Sequence, residues 1–261
     1  MEQGGGMRVI VTLSGGLSSA WCAWWALREF PRKDVVLYFN DTKWEHPDLY
    51  RFLSDFTHFL QHPLTEDSDG RSPEQLFYDN RALANNLMPF CSRILKANRL
   101  QLFFQDGDIL IFGIDGRETH RAQRIETVYT DIGARTNRWV DVRFPIIETG
   151  LTKGDINTFF MINNIRPPAL YSLGFEHNNC SGGCVRAGKT QWVHLYRTLP
   201  DVYADRERVE EDMRKHIGRD IHFLKDETLR NLRLRADRGD LSRRYGPKNV
   251  TECVGVCDTF N

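Results

Sequence analysis

Near the start of the chain, the run Val9-Ile10-Val11-Thr12-Leu13 passes directly into Ser14-Gly15-Gly16-Leu17-Ser18-Ser19 and then into Ala20-Trp21. An apolar β-branched run that breaks into a Ser/Gly turn and resumes as a helix-compatible segment reads as a strand, an anion loop and a helix start. The two glycines let the backbone approach a ligand closely, the serine hydroxyls donate, and the first helical turn adds unpaired N–H groups and a partial positive charge. The ligand such a loop suits is a phosphate. No lysine follows the glycines, as G-x-x-x-x-G-K-S/T requires, and G-x-G-x-x-G is absent, so neither a Walker-type loop nor a dinucleotide loop is indicated.

The rest of the chain repeats the alternation. Ser19 to Phe30 is expected to be a helix with Trp21, Cys22, Trp24, Trp25 and Leu27 on its apolar stripe, and Val35 to Phe39 a buried strand ending at Asn40-Asp41-Thr42. His46-Pro47 opens a helix to about Leu60, Thr65 to Pro73 reads as a polar loop, and Leu83 to Phe104 as mostly helical around Pro89. Asp108 to Asp115 is a third buried strand, Val140 to Ile147 a fourth, and Thr152 caps a helix to Asn163 with Asp155 at its third position. Arg166 to Trp192, rich in Pro, Gly, Asn and Cys, is expected to be irregular, and Asp205 to Arg244 to form solvated helices of mixed charge. Strands alternating with helices imply a parallel sheet covered on both faces.

The 261 residues suffice for one α/β domain over residues 1–200 and a helical extension over 201–261. Formal net charge is zero, so no global field draws the protein to nucleic acid or a membrane surface. No apolar run reaches the ~20 residues of a membrane span, and Met1 to Gly6 lacks the regions of a signal peptide. The expectation is a cytoplasmic protein. In that reducing compartment the six cysteines point to metal, cluster or thiol chemistry rather than disulfides.

Ser14-Gly15-Gly16-Leu17-Ser18-Ser19 resembles the S-G-G-x-D/S-S loop of ATP pyrophosphatases and phosphoadenosine phosphosulfate reductases. Asp41-Thr42-Lys43-Trp44-Glu45-His46-Pro47 is similar to the D-T-G-x-E-x-P element of that superfamily, Cys91-Ser92-Arg93-Ile94-Leu95-Lys96 to its C-C/S-x-x-x-K element, and Gly113 to Glu118 to its G-x-R/D-x-x-E strand end. Together these motifs run in consistent order from Val9 to Pro200. The resemblance implies an adenine nucleotide alpha-hydrolase fold, Rossmann-like and doubly wound around a mainly parallel sheet, followed by a helical, Cys-containing C-terminal extension. It further implies that Ser14, Gly15, Gly16, Ser18 and Ser19 hold phosphates of ATP or an adenylated nucleotide, with Asp41, Lys96, Asp115 and Arg117 around it. ATP-cleaving members carry Asp where this chain has Ser18, a carboxylate linked to Mg²⁺. Asp41 is the alternative carboxylate for that metal or for the nucleotide, or else a cap for the following helix.

Cys91 and the segment His177-Asn178-Asn179-Cys180-Ser181-Gly182-Gly183-Cys184 form the second candidate centre. Thiolates select zinc or iron–sulfur clusters, and the looser C-x-x-x-C spacing places a 4Fe–4S cluster ahead of zinc, with free structural cysteines as the remaining alternative. Cluster-bearing relatives use the cysteine of the C-C/S-x-x-x-K element plus a downstream pair, which implies Cys91, Cys180 and Cys184 as ligands. Cys253 or Cys257 is then the fourth ligand, or the site stays open for substrate sulfur. Glu252-Cys253 partly matches the reductase tail E-C-G-I/L-H, whose cysteine is the nucleophile, but the following Gly and His are missing.

Lys96, Arg117, Arg121 and Arg124 are candidate cations for a polyanionic nucleotide. His177 is a candidate ligand or acid/base group, or an organiser of its loop. Trp21, Trp24, Trp25, Trp44 and Trp192 are expected in core or rim packing. Three functions are open at this point. One is an enzyme that uses ATP or an adenylated compound in sulfur transfer, with a sulfur donor protein and a nucleic acid among its partners. A second is phosphoadenosine or adenosine phosphosulfate reduction with thioredoxin. The third is a catalytically silent nucleotide-binding subunit of a nucleic-acid modification or defence complex.

Overall fold

In the computed structural model, residues 7–241 are described. Strand β1 (Val9–Thr12) leads into α1 (Leu17–Glu29), and β2 (Val35–Asn40) into α2 (Pro47–Leu60). Next come β3 (Leu64–Asp67), α3 (Pro73–Asn80), α4 (Phe90–Ser92), a π-helical turn (Arg93–Ala97) and α5 (Asn98–Phe103). Strand β4 (Ile109–Ile111), α6 (Thr119–Thr136), β5 (Asp141–Arg143), α7 (Pro145–Thr149) and α8 (Lys153–Ile162) complete the first layer set. Beyond them lie α9 (Ala169–Ser172), α10 (Lys189–Thr198), α11 (Pro200–Ile217) and α12 (Leu229–Asp237).

All strand pairs are parallel, in the order β3-β2-β1-β4-β5. This is the expected α/β, Rossmann-like sheet with a helical C-terminal part. Side chains alternate across the central strand. Val9 and Val11 pack with α1, α2 and α8, whereas Ile10 packs with Leu110, Phe112 and the apolar faces of α5 and α6. Both faces are buried, which is why β1 and β4 read as unbroken apolar runs. Cys22 is fully buried in the first of these cores, as its place on the α1 stripe predicts.

Four expectations need correction. Thr65 to Pro73 is not all loop, because Leu64–Asp67 pairs with β2 as an edge strand whose polar residues hide the usual signal. Helix begins only at Phe90 in the Leu83–Phe104 stretch. In Val140–Ile147 the strand ends at Arg143, since Pro145 opens α7. The charged segment after Asp205 is not merely solvated: Val209, Met213 and Phe223 join Trp44, Phe77, Trp192 and Tyr203 in a second apolar core.

Glu210 sits inside that core, 2 % exposed. Its Oε1 accepts the N–H of Phe223 at 2.8 Å and its Oε2 the N–H of Leu229 at 2.6 Å, which ties the connection between α11 and α12 to α11. Burial raises its carboxyl to about 7, against the lowering effect of those hydrogen bonds. The folded chain therefore binds this proton more tightly than the unfolded chain, and the associated stability is present below about 4.5 and lost as pH rises through about 7. Thermal unfolding of the wild type against Glu210→Gln is expected to show the wild type losing roughly 3 kcal/mol relative to the variant across that window. A difference independent of pH would contradict a neutral Glu210 in the folded state.

Candidate functional site

The site is built at the carboxyl edge of the sheet, where the strand order reverses between β1 and β4. Ser14 to Gly16 cross from β1 to α1 there. Gly15 has φ +80°, and any side chain on it would run into Leu49 of α2. Helix α1 has no side-chain cap and no acidic residue in its first turn, so the N–H groups of Leu17, Ser18 and Ser19 have no intrahelical acceptor. A helix N-terminus left in this state favours an anion. Ser19 is turned inward: its Oγ accepts the Ser14 N–H at 3.2 Å, lies 3.1 Å from Ser14 Oγ and donates to the Gly16 carbonyl at 2.9 Å. Its hydroxyl shapes the loop. Ser18 is buried at the same helix end.

Gly113, just past β4, is what lets α1 start so close to the sheet. A Cβ on Gly113 would lie 2.5 Å from the Ser19 backbone nitrogen. Asn178 reaches the loop from the far side, its Nδ2 at 3.4 Å from the Gly15 carbonyl, and the Tyr171 hydroxyl lies 3.4 Å from the Leu17 nitrogen.

Asp41 follows β2 at the same edge. Its Oδ1 accepts the Lys43 N–H and the Tyr50 hydroxyl, each at 2.8 Å, and its Oδ2 pairs with Lys43 Nζ at 3.0 Å. Burial pushes this carboxyl up, but the donors from Lys43 and Tyr50 outweigh it and hold it below its ordinary value. Asp41 does not cap the next helix. His46 does, its Nδ1 accepting the Asp48 N–H at 3.1 Å. Lys43 has φ +64°, at the position where the related motif has glycine.

Asp115 caps the short turn Gly116–Glu118 and holds Arg117 through its N–H at 2.9 Å and its guanidinium at 3.1 Å. Burial raises the Asp115 carboxyl and the Arg117 donors bring it below normal. Arg121 is buried and paired with Glu118 at 2.5 Å. These cations are thus already matched to carboxylates. Arg117, with its side chain 71 % exposed, is the one open to a ligand at little cost.

Cys91, Cys180 and Cys184 come together. All three line one cavity of about 20 Å³, room for a single water, with Trp44, Pro89 and Lys96 in its wall. None of these thiols is in a disulfide. The hydrogen bond with Cys184, burial and the nearby Glu45 carboxylate push the Cys180 thiol well up, with Lys96 opposing. Successive residues Cys180, Ser181 and Gly182 have φ of 49°, 55° and 82°, a left-handed run that only Gly182 adopts without strain.

Glu45 holds this loop in place. It is 8 % exposed; its Oε2 accepts the Cys180 N–H at 3.0 Å, while Oε1 accepts the Thr42 hydroxyl at 2.9 Å and Lys96 Nζ at 3.4 Å. Ser181 Oγ donates to the Trp44 carbonyl at 3.0 Å, and the Arg206 guanidinium stacks 3.6 Å above the Trp44 ring. Among the described residues no three His, Cys, Asp or Glu side chains are spaced as a metal-ligand group. The donor type does suit a soft metal centre, three thiols on one cavity beside Lys96. Cys253 and Cys257 lie outside the described residues.

Glu45, Tyr50 and Arg206 were not singled out in the sequence, whereas Asn178 lay in the candidate segment His177–Cys184 without a role of its own. Glu45 carried a signal, its place within the D-T-G-x-E-x-P element. The others carried none, since their roles depend on partners distant in the chain. His177 and Asn179, on either side of Asn178 in the chain, are buried as well.

A parallel sheet with an uncapped helix at its switch point, faced by carboxylates and a thiol cavity, defines a doubly wound α/β protein whose sheet edge suits an anion. Residues 8–203 match the model of the phosphoadenosine phosphosulfate reductase domain, and the chain belongs to that family. No curated protein matches the chain.

Gly113→Ala tests the geometry of the phosphate loop. Its methyl group meets backbone rather than a yielding side chain, so α1 must shift. ATP or adenosine phosphosulfate affinity by calorimetry is expected to fall at least roughly tenfold, a loss of about 1.4 kcal/mol. Unchanged affinity for both nucleotides in a folded variant would show that the α1 terminus does not bind them.

Proposed function

We propose that the chain is an adenine-nucleotide-dependent enzyme of sulfur transfer, in which Ser14, Gly15, Gly16 and the first turn of α1 hold the phosphates and the thiols of Cys91, Cys180 and Cys184 handle sulfur. One observation carries this reading. Glu45 leaves the nucleotide edge on the loop after β2 and ends on the backbone of Cys180, so the two centres share one wall. The chemistry follows from their nearness. An acceptor oxygen attacks the α-phosphorus of ATP, pyrophosphate leaves, and the acceptor then carries AMP as a leaving group. Sulfur forms its bond to the acceptor carbon as the carbon–oxygen bond breaks and AMP departs with the electron pair. Asp41 and Asp115 are the carboxylates at the edge that would hold Mg²⁺.

The three thiols would hold a 4Fe–4S cluster, with Cys253 or Cys257 as the fourth ligand; when bound, such a cluster supplies a site for sulfur or for electrons. Lys96 offsets negative charge at that centre, and Glu45 fixes both Lys96 and the Cys180 loop. Cys253 is the second candidate thiol for catalysis. A nucleic acid is one acceptor class consistent with this reading, and a sulfur donor protein one partner.

Sulfonucleotide reduction is the second reading, favoured by a specific observation. Ser18 leaves the first turn of α1 without a carboxylate, which suits a phosphate bound without cleavage of its pyrophosphate.

Radiolabelled ATP separates the two. The first reading predicts AMP and pyrophosphate release that depends on an acceptor and is lost in Cys180→Ser. Tight adenylate binding with no turnover under any reducing condition contradicts it, and sulfite release from labelled phosphoadenosine phosphosulfate with thioredoxin establishes the second. Anaerobically reconstituted protein is expected to be brown, with about four irons per chain, bleached by Cys91→Ser, Cys180→Ser or Cys184→Ser and unaffected by Cys22→Ser. Colourless protein with one zinc, or none, would remove the cluster and leave the nucleotide site in place.

A further inference from the structure

A second, much larger cavity, about 510 Å³, lies between the segment Arg81–Met88 and the α11–α12 connection, with Ala187, Gly188 and Lys189 at its side. That volume is in the range of small-molecule sites. Its walls continue, along the chain, the segments that carry the thiols. Arg81–Met88 leads directly into Pro89 and Cys91, and Ala187 follows Cys184 by three residues, so both chain segments that carry the thiols also form walls of this cavity.

The charges of the lining do not cancel. Asp226 is paired with Lys189 at 2.7 Å, and Asp220 with Arg214 at 2.5 Å and His222 at 3.1 Å. Arg81, Arg219 and Lys225 make no ion pair with any described residue, and all three are exposed at the cavity. Unpaired cations on the wall of a concave site attract an anion and lose little on binding it. Apolar surface lies alongside: Leu87 is 72 % exposed and Met88 58 %, on a molecule whose other large aliphatic side chains are mostly buried. The α11–α12 wall is held by the buried Glu210 carboxyl group, so the cations stand on a fixed backbone.

We propose that this cavity binds the acceptor, a small phosphorylated molecule of mononucleotide size with an apolar or aromatic body. Its anion meets Arg81, Arg219 and Lys225, and its body lies on Leu87 and Met88. The role as acceptor rests on the sulfur-transfer reading; binding at the cavity does not. A concave volume of about 510 Å³ with three cations in its lining favours a small molecule over a nucleic-acid strand, which needs positive charge along a track.

Thymidine 5′-monophosphate is the probe, titrated into the full chain already saturated with ATP. Binding is expected, about tenfold or more weaker in Arg219→Gln/Lys225→Gln because two charge-assisted contacts are lost, with ATP affinity unchanged. Ser14→Ala is expected to weaken ATP and leave the probe untouched. Equal probe affinity in the double variant and the wild type would overturn the proposal. So would binding of a ten-residue oligothymidylate with none of the mononucleotide. Probe binding that requires Arg219 and Lys225, in a chain that never cleaves ATP, would uphold the cavity and refute the sulfur-transfer reading instead.

Discussion

The Glu45 carboxylate is the interaction on which the two halves of the site depend. It is nearly out of water and has three partners, the Thr42 hydroxyl on its own loop and, from two distant segments, the Lys96 ammonium and the Cys180 N–H. A buried carboxylate is costly unless its lone pairs are filled, and removing one partner of such a group costs about 3–5 kcal/mol. The π-helical turn Arg93–Ala97 is part of the same arrangement. It widens the helix that follows Cys91 and includes Lys96. One charge thus fixes the end of β2, the helix after Cys91 and the loop of Cys180 in a single geometry.

That geometry holds backbone that would not persist alone. Lys43, Cys180 and Ser181 all sit in the left-handed region, at an order of 1–3 kcal/mol each. Lys43 is steadied by Asp41, and the Cys180 loop by Glu45, by Ser181 on the Trp44 carbonyl and by Gln191 on the Gly182 carbonyl at 2.7 Å. Strain of this kind, over-determined by its surroundings, keeps Cys180 and Cys184 side by side on one cavity with Cys91. The carboxyl edge of the sheet and the thiol cavity thereby have one shared support.

The strand–loop–helix at Val9–Trp21 was legible because its signals are local: β-branched residues, two glycines and an apolar stripe that includes Cys22. The strand end at Asp41 was legible for the same reason, whereas β4 stops at Ile111, four residues before the Asp115 at which the apolar run ends. What stayed hidden depends on pairing between distant positions. Leu64–Asp67 is a strand only because β2 presents a ladder to it, and its Asp67 is satisfied by Tyr38 and Arg99. Arg206 and Glu210 read as solvent-facing charges in a charged helix, yet one stacks on Trp44 and the other takes two backbone N–H groups. Asp41 looked like a helix cap by position alone, and only the structure shows that His46 fills that role.

The most direct test of Glu45 as the shared support is a double-mutant cycle with Lys96, read as unfolding free energy in denaturant. Glu45→Ala takes the carboxylate away from Lys96 and Lys96→Ala takes the ammonium away from Glu45, whereas the double variant removes both groups. The double variant is expected to be less destabilised than the sum of the two by at least about 1 kcal/mol. Additivity to within roughly 0.3–0.5 kcal/mol would mean that the two groups do not hold one another, and would contradict the account.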